Sequence, residues 1–241
     1  EHKMTGILNG IDCKRYDPVS DDALYENYSA ESVHKKRANK DRTAAEFGLN
    51  ADLPLVAIIS RLVAHKGMDI VMQSMEELLK EETFSFVVLG RGERKYEDYF
   101  KMLQFRYPDR VTARIEYDEV LARRLYAAAD FLLMPSKSEP CGLAQMIAMR
   151  YGTVPVVRRV GGLRDSVTDI DHGGCGIAFE RFEAGAMKEA LGRAMKAYGQ
   201  KDSWAGLVKE NMLLDFGWNV SALSYGALYK GLYQGMGAKS L

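Results

Sequence analysis

Arg61, Lys66 and Glu139 are the charged residues of this sequence whose settings suit chemistry, each just beyond an apolar run. Arg61 and Lys66 flank one loop and suit an anionic ligand. Arginine can chelate phosphate with two N–H groups, and lysine acts as a point charge. Glu139 precedes Pro140 and a helix start, where a carboxylate is favoured by the helix dipole. Taken singly, these are two surface cations and a helix-capping acid. The glycines around them add to that. Gly142 would let a ligand approach the backbone, and the N–H groups of Gly142 and Leu143 open the helix as an anion or hydroxyl site. Gly161-Gly162-Leu163 makes a second turn, followed by Asp165. One glycine pair is weak evidence; two such loops on consecutive strands are more specific. Cys141 reads as a small buried thiol. Tyr117, at a strand end, reads as half-buried packing.

These residues need a scaffold, and the pattern supplies one. Residues 131–136 form an apolar strand, 143–151 a helix closing on Gly152, and 154–157 a β-branched strand. That is a βαβ unit of a parallel sheet. Further strands are expected at 55–60, 84–89, 111–115 and near 173–179, and helices at 31–47, 68–79, 94–106, 120–129, 183–198, from about 202, and 219–233. The fold class is α/β, a Rossmann-like doubly wound parallel sheet of about six strands with helices on both faces. Ligands of such sheets bind beyond the carboxyl ends of the strands, where Arg61, Lys66 and Glu139 fall. The basic run His34-Lys35-Lys36-Arg37 reads as a solvated helix face. Gly90-Arg91-Gly92 resembles the start of a dinucleotide fingerprint. Lys95 holds the third glycine's place, and no acid is placed for a ribose, so a nicotinamide-dependent dehydrogenase fits poorly.

Composition narrows the function classes. At 241 residues, 47% hydrophobic and 27% charged, the sequence is that of a globular protein. Lys+Arg 33 balance Asp+Glu 33, which leaves no field to favour nucleic acid or an anionic membrane. Cys13, Cys141 and Cys175 are scattered, without the spacing of a disulfide framework or a metal site. No run reads as a membrane span or a secretory leader. The chain opens Glu1-His2-Lys3 without an initiator methionine, and is expected to be a piece of a longer one.

The stretch PSKSEPCGLAQMIAMRYGTVPVVRRVGGL resembles the nucleotide-sugar site of bacterial glycogen synthases and plant starch synthases. These are family 5 glycosyltransferases with the two-domain GT-B fold. The resemblance extends to GILNGID, SRLVAHKG and DFGWNVSALSYGALY, and so runs over nearly the whole chain. It implies that residues 1–241 are a C-terminal nucleotide-sugar-binding domain whose N-terminal acceptor domain is absent. The implied reaction is retaining transfer of glucose from ADP-glucose to an α-1,4-glucan, in a bacterial cytoplasm or a plastid stroma, with no metal or other cofactor. By resemblance, Arg61 and Lys66 hold the diphosphate. Glu139, Cys141 and Gly142 bind donor hydroxyls, the last two through the main chain. Leu143 and the Gly161-Gly162-Leu163 turn complete the site. Gly90 lies beside the nucleotide, and Tyr117 lies against the adenine.

Two positions depart from the family's pattern. Ala144 and Val160 stand where threonines are common, which removes hydroxyls from the nucleotide site. Ile147 occupies the place of a second glutamate found in family 4 transferases, and so counts against that alternative. A non-catalytic nucleotide-sugar-binding module is the other alternative. The family's K-x-G-G-L loop and catalytic histidine have no counterpart; none of His2, His34, His65 and His172 lies in that motif.

Overall fold

The computed structural model describes residues 4–237, so the expected cut end at Glu1-His2-Lys3, with His2, lies outside it. Six parallel strands make one sheet among the described residues: β1 (Leu55–Ile59), β2 (Ser85–Leu89), β3 (Val111–Arg114), β4 (Phe131–Met134), β5 (Val154–Arg158) and β6 (Ile177–Phe179). Their order is β3-β2-β1-β4-β5-β6. The strands are apolar on both faces because helices cover both. Val56 and Ile58 of β1 join Phe86, Phe131 and Leu133 beneath α2 (Met68–Glu81), α3 (Arg94–Arg106) and α7 (Ala184–Gly199). Leu55 and Ala57 face α1 (Lys36–Phe47) and α4 (Glu119–Ala128). The alternation follows from the two-residue period of a strand. Val56 pairs with Phe86 on one side and Phe131 on the other, so the strand order reverses between β1 and β4. At that switch point the crevice for a ligand opens.

Three further helices follow: α5 (Ala144–Arg150), α6 (Gly162–Ser166) and α8 (Lys201–Met212). The last, α9 (Trp218–Gly237), leaves the body. It is tied at its start, where Ile11 N–H donates to Phe216 O at 2.8 Å and Ser221 Oγ to Leu8 O at 2.7 Å. Beyond that its Leu223, Tyr229 and Leu232 are exposed. The strand expected at 131–136 stops at Met134, because Pro135 has no N–H to continue the ladder.

The basic run corrects its reading at one residue. His34, Lys35 and Arg37 are exposed, but Lys36 is buried. Lys36, Asn39, Lys40 and Thr43 share one face of α1 and turn it, though polar, toward the core. Lys36 Nζ donates to Ala127 O at 2.8 Å, Thr153 Oγ1 at 3.0 Å and Tyr126 O at 3.3 Å. It thereby satisfies the last carbonyls of α4. Lys40 Nζ meets Asp130 Oδ2 at 2.7 Å, which also accepts Leu55 N–H at 2.7 Å and so joins the starts of β1 and β4.

Removal from water pushes the Lys36 amine down to about 7, Asp130 opposing and Lys40 adding to the effect. In the unfolded chain a lysine titrates near about 10.4. Between those values the unfolded chain holds more protons than the folded one, so stability rises with pH across that window. Below it both forms are charged and the penalty is complete. Urea unfolding at pH 7 and pH 9 should show the rise in the wild type and its loss in Lys36→Met. An equal rise in the variant would count against the assignment.

Candidate active site

The loops at the carboxyl ends of β1, β2, β4 and β5 are locked to one another by their backbones. Leu62 N–H donates to Arg91 O at 2.8 Å, and Glu93 N–H to Leu62 O at 2.8 Å. Lys137 N–H donates to His65 O at 2.8 Å, and Gly162 N–H to Glu139 O at 3.0 Å. Glycine makes these approaches possible. A Cβ on Gly67 would lie 2.0 Å from Pro135 O, and one on Gly161 2.1 Å from Glu139 O. Both glycines also have positive φ, 82° and 48°. Gly90 packs on Ser60 in the same manner, with Cβ room of only 1.8 Å to its carbonyl.

Glu139 is therefore held by its main chain, and its side chain is not needed to hold the loop. It does not cap α5, whose N-cap Leu143 makes no side-chain bond. The carboxylate, 7% exposed, meets Lys66 Nζ at 2.5 Å and accepts the Ser136 hydroxyl at 3.1 Å, both through Oε2. Arg158 pins the same loop, donating from Nη1 to Lys137 O at 3.1 Å and Ser136 O at 3.3 Å. Arg61 is exposed, has no acidic partner among the described residues, and lies 3.5 Å from His65 Nε2.

A cavity of about 480 Å³ opens beside Arg61, within the roughly 300–1,000 Å³ usual for small-molecule sites. Tyr16, Gly90, Tyr117, Arg123 and Ile147 line it. A narrower cleft holds Lys66, Ser136, Glu139, Gly142 and Leu143 and shares Ile59 and Ser60 with the cavity. Tyr117 is 86% exposed at the rim, so it is not the half-buried packing residue expected of a strand end. Asp118, which accepts Leu121 N–H at 2.9 Å, caps α4 behind it. Among the described residues, no hydrogen bond takes the N–H of Gly142, Leu143 or Ala144.

Several expectations change on inspection. Gly142 is required by its backbone and by a neighbour: its φ is 73°, and a Cβ would lie 2.5 Å from Gln145 Oε1. Gln145 is fully buried and donates from Nε2 to Gly142 O at 2.9 Å, Ser166 Oγ at 2.9 Å and Cys141 O at 3.3 Å. Gly162 and Leu163 face the protein: both are buried, with their N–H groups on Glu139 O and Val160 O. They brace the Glu139 loop from behind. Cys141 is half-buried rather than buried.

The sequence reading missed one wall of the cavity. Arg15 and Tyr16 come from a loop more than a hundred residues away from Glu119, to which Arg15 Nε donates at 2.9 Å. Arg150 holds that loop through Nε to Tyr16 O at 2.6 Å. Burial, with the Glu119 charge beside it, pushes the Tyr16 phenol above its usual range, so it stays neutral. Nothing local marks Arg15 or Tyr16; only the tertiary packing brings them there.

Residues 39–205 match the family described as glycosyl transferases group 1. A glycogen synthase of Bacillus licheniformis is 44% identical over 231 residues, covering 94% of this chain and 48% of that protein. One of Kosmotoga olearia is 44% identical over 232 residues, covering 95% and 49%. The chain spans about half the length of the curated relatives it matches. Among solved structures, the catalytic domain of starch synthase IV from Arabidopsis thaliana, bound to ADP and acarbose, superposes with a TM-score of 0.88 at 36% identity. It covers 95% of this chain and 49% of that one. The chain belongs to the group 1 glycosyl transferases, and along nearly its whole length it is a homologue of the glycogen and starch synthases.

Proposed function

We propose that the chain is the C-terminal, donor-binding half of an ADP-glucose-dependent glycogen or starch synthase, which elongates α-1,4-glucan with retention of configuration. One observation carries this reading. Arg61, Lys66 and Glu139 converge at the switch point of the sheet, where a nucleotide-sized cavity meets a narrow polar cleft. The nucleoside would fill the cavity, with its base against Tyr117 and its ribose near Gly90. Arg61 and Lys66 would neutralise the diphosphate and the charge that builds on departing ADP. Glu139 would take donor hydroxyls and oppose the positive charge developing at the anomeric carbon. The main chain at Cys141, Gly142 and Leu143 would orient the sugar. The bacterial sources of the relatives favour a bacterial cytoplasm over a plastid.

The exposed apolar face of α9 supports a missing partner domain, since contiguous exposed apolar surface marks an interaction site. GT-B enzymes work in the cleft between two domains, and closure excludes water and aligns the acceptor. This chain alone should therefore bind nucleotide without elongating glucan. Calorimetry with ADP and ADP-glucose is the test. Arg61→Ala should weaken ADP about 10- to 150-fold, the range for a hydrogen bond to a charged group, with the thermal midpoint unchanged. Unchanged affinity would put the diphosphate elsewhere. Label passing from ADP-glucose into glycogen at an enzymatic rate, with the isolated chain, would refute the half-site reading.

A further inference from the structure

Lys66 and Glu139 are each assigned to a different part of the nucleotide sugar, yet in the structure each holds the other. Lys66 Nζ stands 2.5 Å from Glu139 Oε2, and among the described residues the one other partner of that carboxylate is the Ser136 hydroxyl at 3.1 Å. The acid is 7% exposed and its lysine is only partly exposed. A diphosphate that takes Lys66 must draw it from Glu139. That exchange leaves a buried carboxylate with one hydroxyl, which is costly unless new donors arrive. The hydroxyls of a sugar are such donors, and their bonds to an ionised acceptor are strong. A bare nucleoside diphosphate has only its ribose hydroxyls, which the donor-site reading places near Gly90 in the larger cavity and not in the Glu139 cleft.

We propose that Glu139 is a specificity determinant that favours sugar-bearing over bare nucleoside diphosphate by competing for Lys66. This rests on the donor-site reading above and adds a consequence for turnover. Once the sugar has left, the carboxylate reclaims Lys66 and helps to displace the nucleoside diphosphate product. The same residue then serves the donor complex through its sugar contacts and product release through its ion pair.

The test is a mutant cycle on this chain, with ADP and ADP-glucose as probes in calorimetry. Glu139→Gln should bind ADP about three- to tenfold more tightly than wild type and gain nothing for ADP-glucose. In a Lys66→Met background the same substitution should change ADP affinity less than about twofold. An equal gain without Lys66 would mean simple charge repulsion and overturn the proposal. So would equal or weaker ADP binding by Glu139→Gln. A second measurement stands if Lys66→Met binds too weakly to titrate. The ¹³C carboxyl resonance of Glu139, identified by its loss in Glu139→Gln, should move when ADP saturates wild type and move differently with ADP-glucose. Saturation without movement overturns the exchange. Failure of every variant to take up ADP overturns the donor-site reading and this proposal together, whereas ADP uptake without these effects overturns the proposal alone.

Discussion

Glu139→Ala in the full-length enzyme is expected to cut turnover by about two or more powers of ten, as losing one preorganised charge does, while the domain stays folded. The physical reason for both halves is that the loop and the carboxylate are held separately. Glu139 O accepts Gly162 N–H, and Lys137 N–H donates to His65 O; neither bond involves the side chain. Truncation removes the ion pair with Lys66, whose amine can turn toward the cleft and solvent. Thermal unfolding should therefore change little, and the loss should appear in kcat. Steady-state kinetics beside a melting curve decide the matter. Near wild-type turnover would end the catalytic assignment, and a collapsed melting curve would make the residue structural.

Gly161→Ala should be as damaging to turnover by an opposite route. Gly161 has φ 48° and ψ −134°, outside the regions open to a residue with a side chain. Its added Cβ would sit 2.1 Å from Glu139 O. Backbone strain of this kind costs about 1–3 kcal/mol, and the clash adds to it. To relieve the contact the Glu139 loop must move, which breaks the Gly162 N–H bond and displaces the carboxylate from Lys66. Even a shift of about 1 Å can cost about a hundredfold in rate. Here stability and turnover should fall together. Gly185→Ala in α7, where a Cβ meets nothing within 4 Å, is the control and should be neutral or slightly stabilising. Equal melting points for the two variants would contradict the loop-locking account.

The elements that were legible in the sequence are those whose burial is apolar. β1 and β2 are largely apolar runs closed on both faces, and α3 carries Tyr96, Phe100 and Leu103 at helical spacing, so its ends fall where expected. The meeting of Lys66 and Glu139 was legible because charge and glycine interrupt strands at the same end of the sheet. What was not legible depends on polar burial or distant packing. Lys36 looked solvated because its inward stripe of Lys36, Asn39 and Lys40 is polar, and a hydrophobic pattern cannot register it. Nothing in the sequence marks Gln145, yet its buried amide holds the Cys141–Gly142 backbone. Arg15 and Tyr16 belong to the cavity only because Arg150 and Glu119 draw their loop in.

The mutual locking of the four loops also bears on how such a site can diverge. Surface loops ordinarily absorb insertions at small cost, because closure entropy grows slowly with length. Here a residue inserted after Ser138 would shift Glu139 out of register with Gly161, and one inserted after Arg61 would part Leu62 from Arg91 and Gly92. The length of each loop is thus constrained by its neighbours as firmly as a core residue is by packing. New donor specificities are more accessible through exchanges such as Ala144 or Val160, which leave every loop the same length, than through lengthening. Variation in length should collect instead at turns such as Gly48 and Gly173, where a side chain would meet open space.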